Sequence, residues 1–253
     1  MVTFQQRLAG AGIRRLPWLT ATAFLVTAVP SCLQAAIPSL LRHLERTPAG
    51  LGGQWWRSLT SLLVQDGGVL GTISNLAFLL VVGVIAEQVL TRPRWLVLYL
   101  VPGLAGEFVG YAWQPAGAGN SVAVCGLSGA LAVLMLRDRM SAPGVAPAAQ
   151  LLWAGAVVAT ASPIAAVPVF VLAGPLLRLS GARRALACAV AGAAVLACGV
   201  ALTADQNIHG AALLAGALLG APIAAPRPGA AITSGPRRDQ AAGQTPDPGA
   251  SAP

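Results

Sequence analysis

The 253-residue chain contains no lysine, so all 16 of its basic residues are arginine, set against only eight acids. Charged residues make up 9% of the sequence, too few to wet the surface of a soluble domain of this length. Histidine occurs twice, as His43 and His209, which leaves little material for a histidine-rich metal centre. The four cysteines, Cys32, Cys125, Cys188 and Cys198, show no C-x-x-C spacing and lie in or beside apolar runs. They read as packing thiols, and neither a metal site nor a disulfide framework is expected. A net charge of +8 invites comparison with nucleic-acid binders, but the arginines sit in short loops between apolar runs. That pattern orients a membrane protein; it does not form a phosphate-binding stripe, and no nucleic-acid partner is expected.

What the chain has in abundance is apolar length: 56% of its residues are hydrophobic, and mean hydropathy is +0.71. Repeated long apolar runs place it in a bilayer as an all-α, multi-pass protein. Residues 1–16 form a basic N-terminal segment, 17–223 a membrane domain, and 224–253 a disordered tail of Pro, Gly, Ala, Gln and Ser. The first span covers about 17–36, and a loop rich in Pro, Gly and Trp follows to about 66. Spans at 67–90, 95–113 and 121–137 come next, the last opening with Ser121. Thirteen arginines then fall on one side and Arg42, Arg46 and Arg57 on the other, which puts both termini in the cytoplasm of a plasma (inner) membrane protein.

Between Arg139 and His209 there is more chain than one span requires. The basic segment around Arg178, Arg183 and Arg184 belongs on the cytoplasmic side, so the apolar stretch before it must cross an even number of times. An extra hairpin is therefore expected at about 145–179, turning near Pro163–Pro168, with a re-entrant pair as the variant. A span at 185–203 and a final one at 205–222 complete the chain, with Asp205 as the N-terminal cap of the last helix.

Polar residues inside apolar spans are costly to keep and mark sites. Asn75 and Ser128 each lie about eight residues below the outer ends of their spans and His209 four or five, which at ~1.5 Å per residue puts all three roughly 6–12 Å deep. Ser128 stands in Gly126-Leu127-Ser128-Gly129. A serine hydroxyl and an imidazole that meet in a wet recess are a nucleophile and its base. Asn75 and the amide N–H groups near Ser128 would supply donors to an oxyanion. Gly126 and Gly129 allow a substrate backbone or a neighbouring helix to come close. Glu107, also within a span, either snorkels outward, pairs with a polar neighbour or faces the recess.

Taken in order, Trp56-Arg57 in the first loop, Asn75, Gly126-Leu127-Ser128-Gly129, and His209 followed by Gly216 resemble the rhomboid family of intramembrane serine proteases, over about 17–140 and 185–222. The resemblance implies a six-helix core, here with the extra hairpin between the serine-bearing and histidine-bearing helices. It implies a Ser–His dyad of Ser128 and His209 without a third acid, and no cofactor or metal. It also implies transmembrane proteins as substrates, reached sideways through the lipid past the first loop. The sequence departs from the family at four points. Gly71 stands where a histidine usually donates to the oxyanion, and Ala132 where an aromatic ring usually stacks on the catalytic imidazole. Ile208 replaces a small residue and Ala212 a glycine. These departures keep a second reading open, that of a weak or inactive homologue that binds membrane helices.

Overall fold

The computed structural model describes residues 15–137, 144–176 and 182–222. The expected cytoplasmic tail and most of the N-terminal segment lie outside them. The described residues are helical throughout, with one isolated bridge between Arg46 and Gly117. In chain order the helices are α1 (Trp18–Ala36), α2 (Pro38–Leu44), the single turn α3 (Arg57–Thr60), α4 (Gly68–Val89), α5 (Arg92–Trp113), α6 (Ser121–Arg137), α7 (Ala146–Ala161), α8 (Pro163–Leu176), α9 (Ala182–Ala204) and α10 (Ile208–Gly220). Four of them, α1, α4, α5 and α9, are long and apolar enough to cross a bilayer. Their outward side chains are large and apolar, with Leu70 at 81% and Ile73 at 60% exposure on α4. A belt of this kind belongs against lipid, and the protein is a multi-pass membrane protein with an all-α fold.

The axis of the bundle is α6. Every residue from Ser121 to Ala132 is buried, so this helix is apolar on all faces and packed on all faces. Glycines set how close its neighbours come. A Cβ on Gly129 would overlap the Leu213 carbonyl of α10, and one on Gly216 would overlap the Gly126 carbonyl of α6. On the opposite side, a Cβ on Gly103 of α5 would sit 2.9 Å from the Ala123 side chain. With no hydrophobic drive between helices in lipid, such backbone proximity and the dispersion contacts it permits hold the bundle together.

The segment of the expected hairpin forms α7 and α8, joined through Ser162 and packed on one another. The turn comes at the start of the Pro163–Pro168 segment, because Pro163 opens α8 as a first-turn proline. At 16 and 14 residues both arms are shorter than the four long spans. α7 packs between α4 and α9, whereas α8 lies outside it and leaves Ile164 86% exposed.

One buried acid ties the first helix to the bundle. The Glu87 carboxylate, near the end of α4, accepts from the amides of Leu19 and Thr20 at 3.1 and 3.0 Å and from the Thr20 hydroxyl at 2.9 Å. It thereby satisfies donors that the first turn of α1 leaves free, and its negative charge suits a helix N-terminus. Glu87→Ala should lower stability by about 2–3 kcal/mol, measured as a shift in reversible unfolding in mixed micelles. Gln should recover only part of the loss, because its amide can accept through one oxygen alone.

Candidate functional site

The site gathers where α6 and α10 begin. Ser121 is the first residue of α6, behind Asn120, whose carbonyl accepts from the Val124 amide at 3.0 Å. His209 lies in the first turn of α10. The Ser121 hydroxyl and His209 Nε2 are 2.9 Å apart. Asn207 caps α10 from the extended conformation, and its Oδ1 accepts from the His209 amide at 3.0 Å. The same oxygen lies 2.8 Å from His209 Nδ1. A backbone N–H can only donate, so the atom of Asn207 facing it is the carbonyl oxygen. That oxygen can in turn only accept, so Nδ1 carries the ring proton and Nε2 is left with a lone pair toward Ser121.

The chain reaches this cap through a strained residue. Gln206 has φ 55, the left-handed region that L side chains adopt at a cost. Its amide donates to the Thr203 carbonyl at 3.0 Å and the Asn207 amide to the Leu202 carbonyl at 2.8 Å, closing off α9. The cap is therefore Asn207, not Asp205 as the sequence suggested; the Asp205 amide still belongs to the end of α9 through the Ala201 carbonyl.

Ser128 is not part of this arrangement. It lies seven residues further along α6, ~10 Å deeper, and is wholly buried. Its hydroxyl donates to Gln150 Oε1 of α7. Gly126 and Gly129 do not face the recess either: Gly129 packs on Leu213 of α10, and Gly126 on Leu98 and Pro102 of α5. The expected pairing of His209 with Ser128 is thus replaced by pairing with Ser121. Depth was the misleading quantity: with Asn207 as cap, His209 is one turn inside, and only a residue in the first turn of α6 can meet it.

Asn75 lines a recess of about 480 Å³ shared with Ser121 and His209. Its Nδ2 donates to Gln65 Oε1 at 2.7 Å. Gly119 separates it from the serine: a Cβ there would lie 3.3 Å from Ser121 Oγ and 3.4 Å from Asn75 Nδ2. With φ 155 this position also favours glycine. Gly71, one turn above Asn75, lines the same recess, and a Cβ on it would touch nothing within 4 Å. The other departures are accommodated by packing. Ala132 is covered by α9, where a Cβ on Gly192 would meet its carbonyl at 2.7 Å, and Ile208 and Ala212 pack around Gly106 of α5.

Glu107 both lines the recess and pairs with a neighbour, Arg46. Arg46 also donates to the Gln114 carbonyl at 2.6 Å, and its backbone exchanges hydrogen bonds with Gly117 at 2.9 and 3.1 Å. The sequence reading left Arg46 in the outer loop as one more orientation signal; the structure buries it completely. Arg57 does not reach the recess. It holds the first loop together by donating to the Arg42 and Glu45 carbonyls, both at 2.9 Å. Trp55 and Trp56 remain exposed, edge to face at 6.4 Å.

Residues 52–172 match the Rhomboid domain family. They form a rhomboid domain within this chain. The matched segment takes in the later part of the first loop, α4 to α7 and most of α8, so α7 lies within the family domain. The chain is also 35% identical over 92 residues to the rhomboid protease GluP of Bacillus subtilis (strain 168). That similarity covers 34% of this chain and 17% of the relative.

A serine-directed fluorophosphonate applied to the folded protein in detergent should label Ser121 and leave Ser128 untouched, as read by peptide mapping. Ser128→Ala should label within about threefold of the unmodified rhomboid, and Ser121→Ala not at all.

Proposed function

We propose that this rhomboid is an intramembrane serine endopeptidase in which Ser121 is the nucleophile and His209 its base. The observation that carries the reading is the 2.9 Å contact from the Ser121 hydroxyl to an imidazole nitrogen whose partner nitrogen is held by Asn207. As Ser121 Oγ attacks the scissile carbonyl, His209 Nε2 takes its proton, and the Nδ1–H to Asn207 Oδ1 bond steadies the imidazolium. An amide carbonyl does this less strongly than a carboxylate, but it fixes the same tautomer. The carbonyl oxygen becomes an oxyanion facing the second Nδ2 hydrogen of Asn75 and the first amides of α6, which lack intrahelical partners. Collapse expels the amine, which takes the proton from His209. Water then enters from the recess, and the same pair hydrolyses the acyl-serine.

The arginine distribution supports an outward-facing recess, with both termini in the cytoplasm of the plasma (inner) membrane. The substrates proposed are single-span membrane proteins whose helices unwind near that surface, since an amide must leave its helical hydrogen bonds before attack. In reconstituted vesicles with a labelled transmembrane substrate, Ser121→Ala and His209→Ala should each abolish cleavage. Asn207→Ala should lower kcat roughly 10- to 100-fold by freeing the ring to change tautomer. Cleavage that survives Ser121→Ala would overturn the assignment.

One observation favours a second reading, a slow homologue that chiefly binds membrane helices. Gly71 leaves open the position from which a further donor would reach the oxyanion, and losing one such donor costs on the order of 10²–10³ in rate. A Cβ there would meet nothing within 4 Å. Gly71→His should raise kcat about 10-fold or more with little change in KM. No gain would mean that the remaining donors already suffice.

A further inference from the structure

Gln65 lies at the end of the first loop and is 1% exposed, yet every polar atom it has is engaged. Its backbone is clasped by the Gln34 side chain of α1, which accepts from the Gln65 amide at 2.9 Å and donates to the Gln65 carbonyl. Its side chain then bridges two helices. Nε2 donates to Asn120 Oδ1 at 3.0 Å, directly before the nucleophile, and Oε1 accepts from Asn75 Nδ2 at 2.7 Å. A Cβ on Gly119 would stand 3.3 Å from Gln65 Oε1, 3.3 Å from Ser121 Oγ and 3.4 Å from Asn75 Nδ2, so all three groups converge on one point.

Asn75 is useful to an oxyanion only with its NH2 toward the serine. An amide side chain alone has no strong preference between its two faces, because oxygen and nitrogen are nearly isosteric. We propose that Gln65 is a positioning residue: its carbonyl selects the donor face of Asn75, and its NH2 holds the N-terminus of α6 in register with that donor. The inference rests on the protease reading above and deepens it, since it names what holds the donor that Gly71 leaves without a companion. Gln65 itself touches no reacting atom.

The experiment is a double-mutant cycle on cleavage in vesicles, with Gln65→Leu and Asn75→Ala singly and together. A positioning role predicts that Gln65→Leu lowers kcat roughly 10- to 100-fold with KM within about twofold. In the Asn75→Ala background the same change should cost less than about twofold, because there is no donor left to orient. Equal losses in both backgrounds would show a merely structural residue and overturn the inference. Gln65→Glu covers the case in which Leu does not fold. Its carboxylate still accepts from Asn75, and Asn120 can turn its unpartnered Nδ2 to meet it. The fold should therefore survive, while the added negative charge near the oxyanion lowers kcat at unchanged KM. Because that acceptor is retained, Asn75→Ala should still lower kcat in the Gln65→Glu background, and no further loss there would also overturn the inference. An unmodified protein with no Ser121-dependent cleavage would remove the protease reading and this inference with it. Cleavage with additive losses would remove this inference alone.

Discussion

The site depends on how closely α6 and α10 lie. Gly129 gives its missing side chain to the Leu213 carbonyl and Gly216 gives its own to the Gly126 carbonyl, so the two backbones touch. Any Cβ at either position would push the axes apart, and the hydroxyl–imidazole contact at their common end has no slack to absorb that. The packing therefore sets the hydroxyl–imidazole distance on which the proposed chemistry depends. In lipid, where water does not squeeze helices together, surface fit of this kind is among the few forces that set a separation to within an ångström.

Around this pair the polar groups are arranged in tiers. Asn207 fixes the imidazole, Gln65 joins Asn75 to the start of α6, and the Arg46–Glu107 pair fastens the first loop to α5. Each of these side chains meets at least one polar partner, which would otherwise be costly to supply inside a membrane domain. Arg46 is the most exacting case. A guanidinium buried this deeply is tolerated because a carboxylate and a backbone carbonyl both meet its planar fork.

Much of this was legible in the sequence. A bilayer demands about 20 apolar residues per crossing and punishes stray charge, so the spans and their arginine borders stand out. His209 could be singled out because no other histidine falls in an apolar run, and Asn75 because amides are rare there. Ser121 was harder to see. A glycine-flanked serine such as Ser128 has the look of a nucleophile, but its glycines serve the helix crossing. The signal that separates the two is position along the helix. Gln206 turns the chain and Asn207 starts α10, so His209 sits at the very end, and its partner must as well. Arg46 and Glu107 were out of reach for a different reason. They are 61 residues apart, and no local pattern links them.

α1 is pinned at both ends: near its start by Glu87 of α4, and near its finish by the clasp of Gln34 on Gln65. A helix of 19 residues is a rod of ~28 Å. It works as a strut of set length between the inner rim of the bundle and the rim of the recess. The first loop leaves from one end of that strut and returns to it at Gln65, so the canopy it forms cannot drift without either stretching a helix or releasing a buried carboxylate. Thickness changes in the surrounding lipid would reach the Ser121–His209 pair along that strut.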